Sequence, residues 1–163
     1  MKLAAISDVH GNSAALEAVL ADIEAAGVTE VVDLGDHVSG PLDPLGTADL
    51  LMARGFPSVR GNHDRALVEG GAAMVESDRF AAAQIGDSHR QWLAGLPPIM
   101  LYQTDVFLCH GTPRSDVTYW LERLTGEAIV APARIVAVER GGRHRRIAAA
   151  VRAYAYRARG APQ

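Results

Sequence analysis

Residues 2–11 read KLAAISDVHG. The apolar run Lys2–Ser7 stops at Asp8, and Gly11 follows His10 at once. A short apolar run closed by polar residues and a glycine reads as a buried strand. This one delivers an Asp-x-His pair at its carboxyl end. In an extended segment residues i and i+2 point the same way, so Asp8 and His10 are predicted to face one point and to hold one cation together.

Outward from this stretch the chain alternates. Asn12 or Ser13 is placed to cap a helix in which Leu16, Val19, Leu20 and Ile23 recur at helical spacing, with Gly27 as its left-handed stop. Glu30–Leu34 is a second strand, ended by Gly35-Asp36, and the loop SGPLDPLG (39–46) follows. A short helix is predicted from Thr47 through Leu50, Leu51 and Met52 to Gly55. Phe56–Arg60 is a third, weaker strand running into Gly61-Asn62-His63-Asp64. Strands alternating with helices argue for a parallel sheet covered by helices. Beyond it, Ser77–Leu96 reads as largely helical. Ile99–Tyr102 and Asp105–Cys109 read as a hairpin across Gln103-Thr104, and Val117–Leu124 as a short helix. Arg134–Val138 has strand character, and Ile147–Arg157 suits either state. No internal repeat is present.

Composition narrows the class. The chain has 163 residues, nearly half of them apolar, which is one domain's length and enough for a sizeable core. No run approaches the roughly 20 apolar residues of a membrane span, and the N-terminus turns polar too soon for a signal peptide. Cys109 is the sole cysteine, so no intramolecular disulfide forms. That usage fits a reducing compartment, and the cytoplasm is the expected location. The formal charge of −3 hides an asymmetry. Residues 1–133 carry 8 basic and 18 acidic groups, whereas residues 134–163 carry 8 arginines and one acid, Glu139. The expected division is therefore a body, 1–133, and an Arg/Ala-rich segment, 134–163.

Four predicted strands end in residues able to bind a metal: Asp8-Val9-His10, Gly35-Asp36, Gly61-Asn62-His63-Asp64 and His110-Gly111. Ligands of open α/β sheets bind outside the carboxyl ends of the strands, so the pattern gathers these residues on one rim. Taken singly, each has a bland reading: Gly-Asp and Gly-Asn are ordinary turn pairs, and a lone histidine is usually a satisfied one. Their coincidence at four strand ends is the signal. Oxygen and imidazole donors without thiolate suit Mn, Fe, Zn or Ni. His37 and His89 fall outside the pattern and are expected to be structural or solvated. Cys109 is expected to be a small core residue.

The order DVHGN, LGDHVSG, VRGNHD, CHGTP resembles the calcineurin-like metallophosphoesterase superfamily, in its small bacterial phosphodiesterase branch, from Met1 to about Glu122. The resemblance implies a layered β-sandwich of mixed sheets flanked by helices, with a dinuclear metal site on the rim. It implies two divalent cations, manganese first among the candidates, and hydrolysis of a phosphomonoester or phosphodiester by a metal-bridging hydroxide. Asp8 and His10 would bind the first metal, Asp36 would bridge both through its two oxygens, and Asn62 and His110 would bind the second. His63, positioned by Asp64, would contact the phosphate or protonate the leaving oxygen. An imidazole, with an ordinary pKa of about 6.5, suits that task.

The sequence departs from the resembled pattern after HGTP. Its Gly-His-x-His motif, which would complete both metal shells, does not occur after His110. The only later histidine, His144, sits among Arg140, Arg143, Arg145 and Arg146, whose charge repels a cation. Three origins fit the segment from 134: an internal loss, a shift of reading frame, or a basic extension for phosphate-rich partners. The last ranks lowest, because the segment has little aromatic interleaving beyond Tyr154 and Tyr156, and no nucleic-acid or membrane partner is expected. With two imidazoles gone, weaker metal binding is expected, together with an exposed sheet edge through which the chain pairs with a second copy. Two functions remain: a metal-dependent phosphoesterase, and a non-catalytic descendant that binds metal or phosphate without turnover.

Overall fold

The computed structural model describes residues 3–103, 106–118, 122–124, 127–129, 134–140 and 143–150. Strand β1 (Leu3–Ile6) leads through helix α1 (Ser13–Ala25) to β2 (Glu30–Asp33), which lies parallel to β1 with Ala5 opposite Val32. Asn12 caps α1 by accepting the Ala15 N–H at 3.0 Å, and Gly27 takes the left-handed conformation beyond it, at φ 67°. Helix α2 spans Pro44–Arg54, three residues earlier than the apolar spacing predicts. Asp43 accepts the Gly46 N–H, and a proline at the first helical position gives up no hydrogen bond there.

The third strand is present only as one parallel bridge, Asp33 to Ser58. Asp33 N donates to Pro57 O and Val59 N to Asp33 O. Pro57 has no N–H to continue such a ladder. Helices α3 (Asn62–Glu69), α4 (Glu76–Gln84) and α5 (Asp87–Gly95) follow. The stretch 77–96 is largely helical, as expected, and it is divided into two helices at Ile85-Gly86. Ile85 turns extended and is buried, while His89 reaches back to accept the Gly86 N–H at 3.1 Å and restarts the helix.

The second sheet has the order β3-β4-β8-β7, from β3 (Ile99–Tyr102), β4 (Val106–His110), β7 (Arg134–Arg140) and β8 (Arg143–Ala150). Its β3-β4 and β7-β8 pairs are antiparallel and β4-β8 is parallel, so the sheet is mixed, as expected. β5 (Glu122–Leu124) pairs antiparallel with β6 (Glu127–Ile129). The helix predicted over 117–124 is therefore absent among the described residues. So short a segment does not carry the cost of nucleating a helix without tertiary support, and part of it pairs as β5 instead. β8 lies beside β4, so among the described residues the edges of this sheet are β3 and β7. Position 104–105 of the predicted hairpin turn and the stretch 151–157 lie outside the described residues.

Three apolar clusters hold the layers. Val32, Leu34 and Val59 meet Val106 and Leu108, joining the two sheets face to face. Ile6, Leu16, Leu20 and Leu51 seat α1 and α2 on the first sheet. Val38, Ala48, Leu67, Ala81, Ile85 and Leu93 bind the helices to each other. The clusters leave the carboxyl ends of β1, β2 and β4 together at one edge of the sandwich, beside the N-terminus of α3. No helix among the described residues is long and apolar enough to cross a membrane.

Candidate metal centre

Three loops are laced together at this edge. Asp8 N donates to Gly35 O at 2.9 Å, His10 N to Asp36 O at 3.0 Å, and Gly11 N to His37 O at 3.0 Å. The backbone at Gly61 presses on the same loop: a Cβ there would overlap Asp36 Oδ1 and lie 2.5 Å from Asp36 N. Glycine is needed at 61 for this approach and not for a reversed φ, since its φ is −86°.

Asp8, His10 and Asp36 do not sit on extended strand. Their φ values are 54°, 50° and 60°, the left-handed region that non-glycine residues seldom enter. The alternation expected for Asp8 and His10 is therefore replaced by two left-handed residues beyond the strand end. The side chains converge all the same, with His10 Nε2 3.7 Å from Asp8 Oδ1. Strained backbone of this kind persists only where its surroundings hold it, and it clusters at functional sites.

All five candidate ligands meet. One ligand atom each from Asp8, Asp36 and His110 lie within 4.8 Å of one another. His110 Nε2 is 3.3 Å from Asp36 Oδ2 and 3.1 Å from Asn62 Oδ1, and His10 Nε2 is 3.8 Å from Asp36 Oδ2. The two oxygens of Asp36 are not equivalent. Oδ1 accepts the His63 N–H at 2.9 Å, and Oδ2 alone faces both imidazoles. Of the two oxygens, Oδ2 is thus the one that shares a point with both imidazoles.

The imidazoles test whether this set fits a cation. His10 Nδ1 lies 2.7 Å from Ser39 O, and His110 Nδ1 lies 2.8 Å from Leu34 O. A carbonyl only accepts, so each Nδ1 carries the proton, and each Nε2 turns its lone pair toward carboxylate oxygens. That arrangement calls for a positive charge in between, either a proton or a metal ion. Ring orientation by a backbone carbonyl is also the usual support of a histidine ligand. Burial works against charging His110, but the hydrogen bond and charge of Asp36, with Asp8, lift its pKa to about 9. Burial likewise pushes the Asp8 carboxyl up, and His10, Ser7 and His110 outweigh it and hold it below its usual value. The donor set fits divalent cations.

His63 lies at the edge of this cluster, its ring edge-on to His10 with centroids 5.3 Å apart. Its partner is not the expected one. His63 Nδ1 is 2.8 Å from Asp78 Oδ1 on α4, and Ser39 Oγ donates to the same carboxylate. Asp64 is turned away because residues 62–69 are helical, and successive side chains on a helix point about 100° apart. Its carboxylate is fully buried and accepts N–H groups from Asp36, His37 and Gly61 and a bond from the His37 ring. The family resemblance implies Asp64 in that place. Asp78, inside a later helix, carries no local signal.

His37 and His89 lie outside the ligand cluster. His37 is fully buried between Asp64 and Asp33, its ring edge-on to Trp92. His89 caps α5 and meets Asp49 at 2.9 Å. Cys109 is buried in β4 beside His110, and burial alone pushes its thiol up to about 11. Arg65, on α3, forks onto Asp116 with Nε at 2.7 Å and Nη2 at 3.2 Å, tying the loop after His110 to the helix that carries Asn62 and His63. By strand register His110 pairs with Ala150, which leaves His144, six residues along β8, at the far end of that strand.

A sandwich of small sheets flanked by helices carries carboxylates and imidazoles gathered on its rim, a candidate metal centre. The model of the calcineurin-like phosphoesterase family matches residues 1–143. The chain belongs to that family, whose general chemistry is metal-dependent hydrolysis of phosphate esters. A metallophosphoesterase from Sphaerobacter thermophilus is 35% identical with a TM-score of 0.63, over 74% of this chain and 51% of its own. The protein PH1004 from Pyrococcus horikoshii OT3, 16% identical with a TM-score of 0.64 over 73% of this chain and 58% of its own, shares the fold. The uncharacterized protein MJ0912 of Methanocaldococcus jannaschii is 42% identical over 62 residues, which are 38% of this chain and 26% of that protein. The chain thus spans about half the length of the Sphaerobacter protein and a quarter of MJ0912.

Proposed function

We propose that this chain is a metal-dependent phosphoesterase of phosphomonoesters or phosphodiesters, with Asp8, His10, Asp36, Asn62 and His110 as metal ligands and His63 as the group that meets the ester. The observation that carries the reading is the shared orientation of His10 and His110. Each is held by a backbone carbonyl at Nδ1 and aims Nε2 at Asp36 Oδ2. Divalent cations bound there, manganese first among them, supply neutralisation of phosphoryl charge and a lowered pKa for a coordinated water.

The chain's own residues do the rest. Asp8 and Asp36 bring negative charge, and Asn62 adds an oxygen donor without more charge. Asp78 accepts the Nδ1 proton of His63, which leaves Nε2 as the atom that exchanges a proton with the ester oxygen. His63 is part-exposed, its side chain 22% accessible, so a substrate reaches it. Asp64 acts in this scheme through the backbone of Asp36 and not through His63.

The test is hydrolysis of a nitrophenyl phosphodiester by the chelator-stripped chain with added manganese. Activity that disappears in Asp36→Ala and His63→Ala supports the reading, and full activity in both defeats it. A second reading, metal or phosphate binding without turnover, is favoured by one observation: the absence of Gly-His-x-His from the sequence. Calorimetric manganese binding with no hydrolysis of any ester tested is its signature. The division at residue 133 is, in this proposal, one of charge rather than of fold, because β7 and β8 belong to the same sheet as β4. A cytoplasmic location, a phosphate-ester substrate as the main partner and pairing of two copies through a sheet edge belong to the same reading. A strict monomer in solution scattering counts against the last.

A further inference from the structure

Behind the candidate ligands lies a buried polar cluster of which the scheme above uses only Asp64. Asp33, His37 and Asp64 are each 0% exposed. His37 Nδ1 is 2.7 Å from Asp64 Oδ2, and His37 Nε2 is 3.4 Å from Asp33 Oδ2. Those last two atoms are buried without a hydrogen bond. Three ionisable groups sealed from water are costly unless they compensate one another, so their presence beside the centre asks for a reason.

The contacts supply one. Asp64 Oδ2 accepts the N–H of Asp36 at 2.8 Å and of Gly61 at 2.9 Å, and Oδ1 accepts the N–H of His37 at 2.9 Å. Asp64 therefore pins the backbone of Asp36, which is left-handed at φ 60°. That conformation directs Asp36 Oδ1 to the His63 N–H and Oδ2 to His10 and His110. His37 is the only side chain that bonds Asp64 among the described residues, and it places a donor between Asp64 and Asp33.

We propose that His37 is a positioning residue for the metal centre, holding Asp64 where it fixes the backbone of Asp36 and so selecting the single oxygen that Asp36 presents. The inference rests on the metal-centre reading above. It differs from a packing role, in which the ring merely fills space against Trp92, 5.1 Å away centroid to centroid.

The experiment measures Mn2+ affinity by calorimetry, on the chelator-stripped full chain, for His37→Phe, His37→Gln and Trp92→Leu, with melting temperature beside it. His37→Phe keeps a ring against Trp92 and loses the bond to Asp64; it is expected to weaken Mn2+ binding about tenfold or more, the usual size of a supporting-residue effect. His37→Gln keeps a donor and is expected to restore most of the affinity. Trp92→Leu is expected to lower the melting temperature and leave the affinity within about threefold, well below the tenfold scale of a lost support. Equal affinity in wild type and His37→Phe overturns the proposal, as does an equal loss in Trp92→Leu. If His37→Phe does not fold, the unmodified chain decides. The His37 Nδ1–H proton resonance is expected to shift when Zn2+ is added, and a resonance unmoved at saturation overturns the proposal. A wild-type chain that binds neither ion defeats the metal-centre reading itself, which is a separate result.

Discussion

His63 Nδ1 lies 2.8 Å from Asp78 Oδ1, although 15 residues and a helix boundary separate them, while Asp64, next to His63 in sequence, bonds His37. The Asp78 carboxylate is 1% exposed. Burial pushes its carboxyl up, but Ser39, His63 and the Val75 N–H outweigh that and keep it below its usual value. It is therefore the ionised acceptor that sets the His63 tautomer. Asp78→Asn, which can present an N–H in place of the acceptor, is expected to lower kcat by ~10- to 100-fold, a part of what a general acid contributes. Its Mn2+ affinity should match wild type. A paired loss of affinity and kcat places Asp78 among the residues that hold the metal.

Gly61 is required for room. Alanine there would drive its Cβ into Asp36 Oδ1 and the Asp36 backbone, and backbone cannot swing aside as a flexible side chain does. Gly61→Ala is expected to cost about 1–3 kcal/mol, the range for overpacking, read by urea denaturation, and to weaken Mn2+ binding. A stable variant with wild-type affinity contradicts the close approach.

Arg65 and Asp116 form a two-pronged pair that anchors the loop after His110. Both side chains are part-exposed, at 32% and 26%, so solvent screens much of the attraction. A double-mutant cycle with Arg65→Met and Asp116→Asn should give a coupling of about 0.5–1 kcal/mol. A coupling near zero means that the loop is held by its own turn, Thr112 to Ser115, alone.

Cys109 is 0% exposed, and its thiol is raised to about 11. The thiolate is the reactive form, and a raised pKa keeps the thiol neutral to higher pH. At pH 8 the folded chain is expected to resist iodoacetamide while the guanidine-unfolded chain alkylates fully. Comparable rates in both states contradict the burial of β4.

The strand ends were legible because each ligand motif closes a hydrophobic run. Lys2–Ser7 into Asp8-Val9-His10 and Glu30–Leu34 into Gly35-Asp36 announce themselves by the switch from apolar to polar. The local conformation was not legible. Alternation along a strand predicts how Asp8 and His10 align, but both enter the left-handed region because backbone bonds to Gly35 and Asp36 hold them there. Those bonds are non-local. The same limit explains Asp78 and His37, whose roles depend on which helix packs where. The break at 85–86 has no signal of its own in the sequence: the residues on either side have helical spacing, and only the cap supplied by His89 shows it. The four motifs thus named the residues that meet at the rim, whereas the groups that support them needed the fold.

The central claim is that the rim formed by Asp8, His10, Asp36, Asn62 and His110 holds a divalent cation. Anomalous diffraction from crystals of the full chain grown with manganese tests it most directly. The account predicts a manganese peak at bonding distance from Asp36 Oδ2, with His10 Nε2 and His110 Nε2 turned toward it. A map with no peak at that oxygen, in crystals whose bulk manganese is saturating, contradicts it.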